Sequence, residues 1–136
     1  MATNFTAIVS QRQHFGDEQG TFNDVEPNLN VITKKDFTFD CPNVNPNETA
    51  FLIFQSRDVD HQRNIFRVNK VDVSGGLPAS PSRDSWNGNI MLIGSRHVLT
   101  ATNNVLHVES RNDKGETGGD IDDFIIDNVV IMYKTR

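Results

Sequence analysis

Cysteine is all but missing from this sequence: Cys41 stands alone, so no disulfide can form within the chain, and the thiol says little about compartment. Long apolar runs are missing too. The longest, residues 50–54 and 129–133, fall far short of the roughly 20 residues that a membrane-spanning helix needs, so no span is expected. Nor is there a basic excess. The 13 Lys and Arg interleave with 18 Asp and Glu for a net charge of −5, which leaves no basic stripe to neutralise phosphates and argues against nucleic acid as a partner. Assembled catalytic patterns are lacking as well. His14, His61, His97 and His107 show neither the His-Glu-x-x-His pair nor Cys/His ligand spacing, and there is no Gly-x-Ser-x-Gly elbow. Among so many carboxylates no acid–base pair stands out, and Cys41, before Pro42 at the end of an alternating run, reads as a packed thiol; no enzyme is expected. The first 15 residues lack the basic start and unbroken apolar core of a secretory signal, so the chain as it stands is expected to be cytoplasmic or already processed.

What is present is a succession of short apolar segments. A chain of 136 residues is about one domain, long enough to bury a core without obligatory staples, and the whole of 1–136 reads as one. No segment sustains a helical period over three turns. Residues 89–93 and 104–109, rich in Ile, Val and Leu, read as strands around a polar link in which Leu99 stands nearly alone. Residues 5–9, 29–32 and the alternating Phe37, Phe39 and Cys41 give earlier strands, whereas residues 11–28 read as a long polar connection pinned by Phe15 and Phe22. Residues 50–54 are apolar at every position, which predicts a central strand covered on both faces. Between Phe66, Val68 and Val71, Val73 the alternation changes phase; a two-residue turn at Asn69-Lys70 explains it by setting Val68 opposite Val71. Residues 124–133 form the last strand, interrupted by Asp127 and Asn128. A buried carboxylate there needs a bulge to solvent or a dedicated partner.

This succession, from the strand at 50–54 through Val68-Asn69, Trp86, residues 90–93, Leu99 and Asn104-Val105-Leu106-His107-Val108 to the closing Phe124-Ile125-Ile126-Asp127-Asn128-Val129, resembles the galactose-binding-domain-like jelly roll over residues 48–133. That superfamily contains carbohydrate-binding modules and the non-catalytic sugar-binding domains of glycoside hydrolases. The resemblance implies an all-β, antiparallel jelly-roll sandwich. Lys70 and Asn103 stand where the family favours glycine; asparagine and, less readily, lysine can adopt positive φ, and at least one of Asn69 and Lys70 is expected to do so. It also implies a structural calcium ion, with Asp127 as a ligand.

Two segments carry candidate binding chemistry. Trp86, Asn87 and Asn89 offer an aromatic face with amides, the pairing a sugar site needs; the plainer reading is a packed tryptophan beside a turn. Arg57, Asp58, His61 and Arg63 can bond hydroxyls, or form a solvated loop. Asp122 and Asp123, in an acidic cluster with Asp120, are oxygen ligands for calcium without the twelve-residue loop spacing. The expected function is non-catalytic, lectin-like carbohydrate binding through loops at one end of the sandwich. The alternative is a structural or assembly module that contacts another protein; the sequence leaves the oligomeric state open.

Overall fold

A computed structural model describes residues 1–94 and 96–136. The described residues form ten strands and no helix: β1 (Thr3–Val9), β2 (Gln13–Phe15), β3 (Val31–Ile32), β4 (Lys34–Phe39), β5 (Ala50–Arg57), β6 (Ile65–Val68), β7 (Val71–Asp72), β8 (Trp86–Ile93), β9 (Asn104–Glu109) and β10 (Phe124–Lys134). They make two sheets, one six-stranded in the order β3-β2-β10-β5-β8 with β1 also on β10, and one four-stranded in the order β4-β9-β6-β7. This is the architecture of a β-sandwich.

The core lies between the sheets. Alternation sends Leu52 and Phe54 of β5 and Ile131 of β10 inward from one side, and Phe66, Val68, Leu106 and Val108 inward from the other, into one buried cluster. Phe54 and Phe66 meet across it with ring centroids 5.2 Å apart. Each such side chain contributes ~1.5–3 kcal/mol by leaving water. Val98 and Leu99, from the polar link, plug the same core. Cys41 is there too, its thiol pushed up to about 12 by burial and then by Asp40, so it is a packing group.

The turn at Asn69-Lys70 forms as expected. Asn69 and Lys70 have φ of 48° and 68°, the two left-handed residues of a type I′ hairpin, and Val68 pairs with Val71. Asn103, likewise, has φ of 57°. Asn69 does more than turn the chain. Its side chain donates to Val98 O at 2.6 Å and Asn104 Oδ1 at 2.9 Å and accepts from Val105 N at 2.8 Å, tying the hairpin to β9.

Three expectations need correcting. The connection at 11–28 contains β2, whose His14 and Phe15 are buried; three residues are too few for a periodic signal, and pairing with β10 supplies what the sequence does not show. Residues 29–32 yield only Val31–Ile32, in parallel pairing with β2. The apolar run at 50–54 is central, between β10 and β8, yet it is covered on one face only: Ala50, Leu52 and Phe54 are buried while Ile53 stands exposed. Residues 16–30 cover the outer face of this sheet at one end only, where Phe22 packs on His14 and both His14 and its partner Ile125 are buried. Beyond that end no further layer covers the outer face among the described residues, and register aligns Phe5, Met132, Phe51 and Leu92 in one outward row. Val130, Ile53 and Ile90 lie in the next.

Candidate functional site

Strand register gathers four loops at one end of the molecule. Phe15 pairs with Phe124, Arg57 with both Trp86 and Ile125, and Glu109 with Ile65, so the loops 16–30, 58–64, 73–85 and 110–123 all open there. Loop 58–64 is tied to loop 110–123 through Asp122, whose Oδ2 accepts from Asp60 N at 3.0 Å and Asn64 Nδ2 at 2.8 Å. Asn64 Oδ1 in turn accepts from Arg111 N at 2.9 Å. Loop 58–64 is tied to 73–85 as well: Asp58 Oδ1 accepts from Asp84 N at 2.7 Å, and Val59 N donates to Ser80 Oγ at 3.0 Å.

Asp122 is 4% exposed, and its Oδ1 has no hydrogen-bond partner among the described residues. Burial pushes its carboxyl up to about 6, against the opposing pull of the hydrogen bonds from Asn64 and Asp60. Asp123 points the other way. Its Oδ1 lies 2.8 Å from Nε2 of the buried His14 and accepts from Glu18 N at 3.1 Å, which fixes loop 16–30. Phe22 backs this pair, edge-on to the His14 ring at 4.8 Å.

These loops enclose two depressions. One, of about 310 Å³, is lined by Glu18, Asp58, Asp84 and Asp123 with Arg83; the other, of about 440 Å³, by His61, Asn112, Lys114, Glu116 and Asp122. Asp60, Asp120 and Ile121 line both, so the two adjoin. Their walls are rich in acceptors with a few donors, chemistry suited to a neutral ligand bearing many hydroxyls. A groove of about 460 Å³ on the four-stranded sheet is a weaker candidate, because apart from Lys70 its charged side chains are already paired: His107 Nδ1 lies 2.5 Å from Asp36 Oδ1, and Arg67 Nε donates to Asp72 Oδ1 at 2.7 Å.

Of the residues singled out from sequence, Asp58, His61, Asp122 and Asp123 come together at the loop end. Arg57 stands behind it, 4.0 Å from Asp58 and 3.9 Å from Asp84, while the exposed Arg63 lines neither depression. Trp86, Asn87 and Asn89 do not converge. Successive strand residues face opposite sides, so Trp86 points outward, half-buried, under the Arg12 guanidinium 4.8 Å from its ring centroid. Asn89, on the inner side with Asn87, donates to the buried Ser56 Oγ at 2.9 Å, and Asn87 Nδ2 donates to Ser85 O at 3.3 Å.

The expected calcium ligands do not assemble either. Asp127 sits at a bulge in β10, where its Oδ2 accepts from Arg12 Nε at 3.1 Å and its Oδ1 from Asn128 N at 2.8 Å. Both of its oxygens are thus spoken for within the chain. Asp122 and Asp123 hold separate partners, and among the described residues no group of three or more His, Cys, Asp or Glu is arranged to hold a metal ion. Glu18, Arg83 and Asp84 join the site with no sequence signal; only the fold brings 16–30 and 73–85 beside the acidic loop. No helix among the described residues is long and apolar enough to cross a membrane. The sequence matches no protein-family model and no curated protein.

Proposed function

We propose that this chain is a non-catalytic carbohydrate-binding module, its sandwich of the galactose-binding-domain-like jelly-roll type, and that it takes its ligand at the loop end. The observation that carries this reading is the junction of Asp60 with Asp122. Two segments with hydroxyl-binding side chains, 58–64 and 120–123, are remote in sequence, yet they share the walls of two adjoining depressions. Volumes of about 310 and 440 Å³ fall in the range of small-ligand sites, roughly 300–1,000 Å³. The surplus of carboxylates disfavours an anion and favours hydroxyl donors, with His61, Arg83, Asn112 and Lys114 able to meet ring and hydroxyl oxygens.

Isothermal titration against neutral mono- and oligosaccharides, guided by a glycan array, tests this. Asp120→Asn, on the shared ridge, should weaken binding by ~10-fold or more, the loss of one charge-assisted hydrogen bond. Trp86→Ala, outside both depressions, should leave affinity unchanged. Absence of any sugar response in the parent chain would discard the reading.

A further inference from the structure

We propose that the outer face of the six-stranded sheet is a dimer interface on which a second copy of this chain stacks face to face. The inference is independent of sugar binding at the loop end. Phe5, Ile53, Ile90 and Leu92 are 66%, 36%, 72% and 51% exposed, and they lie in the two adjacent outward rows that cross β1, β10, β5 and β8. No charged side chain interrupts these rows. Polar residues bound them, Thr3 and Lys134 on one side and Gln55, bonded to Asn128, on the other.

The size of the patch fits a copy of the chain. The four exposed side chains leave roughly 400 Å² of apolar surface, within the range at which a contiguous patch on a monomer is often functional. A standard interface takes ~800 Å² from each partner, of which ~55–65% is apolar. The patch with its polar rim therefore supplies about what one half of a two-fold dimer must contribute. Charge agrees with size. Two chains of net charge −5 repel, but the acidic loops 16–30, 58–64 and 110–123 lie at one end, beyond the uncharged rows. Two sheets stacked ~10 Å apart give each row a matching apolar row, and the closed two-fold arrangement leaves no further face to propagate.

Sedimentation velocity of the full chain across the micromolar range is the test. The expected result is a monomer–dimer equilibrium at physiological salt, with Ile90→Glu and Phe5→Glu each weakening the dimer by ~100-fold or more. Both side chains are exposed, so melting temperatures of the dilute monomers should match the parent, and circular dichroism checks that both variants fold. Val71→Glu, an equally apolar-to-acidic change at a 38% exposed site on the other sheet, should leave the dimer intact. A parent chain that stays monomeric throughout overturns the proposal. So does a dimer broken by Ile90→Glu but not by Phe5→Glu, since that pattern means edge pairing along β8, and so does a dimer that Val71→Glu breaks as well.

Discussion

Asp60 donates its backbone N–H to Asp122 Oδ2 at 3.0 Å, and this bond joins the loop leaving β5 to the loop entering β10. It uses one oxygen of a carboxylate whose other oxygen is buried without a partner among the described residues. The loop end is thus held by a group that is strained by its own charge.

The pH dependence follows from that charge. Burial raises the Asp122 carboxyl to about 6 in the folded chain, above its unfolded value of ~3.9, so between those values the folded state binds the proton that the unfolded state has released. Stability from this group is therefore present below pH ~4 and lost as pH rises through about 6, a change of order 2–3 kcal/mol. Asp122→Asn keeps an oxygen acceptor for Asp60 and Asn64 and removes the charge. Urea melts of the two chains should show the variant more stable at pH 7.5, with the difference shrinking towards pH 4. A constant difference across this range would count against the buried-charge account.

The hairpin at Asn69-Lys70 separates backbone strain from side-chain bonding. Lys70 holds φ of 68° with an exposed side chain, so Lys70→Gly relieves left-handed strain and should stabilise by up to ~1 kcal/mol, after the added entropy of the unfolded glycine. Asn69→Gly relieves the same strain but deletes three bonds, to Val98, Asn104 and Val105, and should destabilise by ~2–3 kcal/mol. Equilibrium denaturation measures both. Opposite signs at neighbouring positions are the signature of this geometry.

That hairpin was legible because a phase change in alternation leaves few alternatives. The strands at 104–109 and 124–133 were legible for a related reason, their apolar content matching pairing on the inner face. At residues 50–54 apolar identity at every position does not mean burial at every position, because the side chains alternate between a buried and an open face. Ile53 satisfies β propensity and, through the outward rows, a surface that one chain leaves open. At the loop end, the residue types were legible and their meeting was not. Nothing local links 58–64 to 110–123, and His14, the buried partner of Asp123, lies in a strand too short to carry a period.

Arg12 decides what Trp86 and Asp127 do. Its guanidinium lies over the indole ring, donates to Asp127 Oδ2 at 3.1 Å, and pairs with Glu26, so one side chain holds loop 16–30 and β8 to the bulge in β10. Removing it leaves Asp127, only 8% exposed, without its cation. Arg12→Ala should destabilise by ~1–3 kcal/mol, below the full figure for a buried pair because the arginine is partly solvated. Trp86 is the only tryptophan, so its emission reports the uncovering of the ring directly and should shift to the red in the folded variant. Arg12→Lys keeps the charge but not the planar stack or the fork, and should recover only part of the loss. Because Arg12 and Asn128 N already occupy the Asp127 oxygens, calcium and a chelator should leave the melting temperature of the parent chain unchanged at matched ionic strength. A rise with calcium would show that the ion displaces Arg12 from Asp127, and Trp86 emission would then shift as it does in Arg12→Ala.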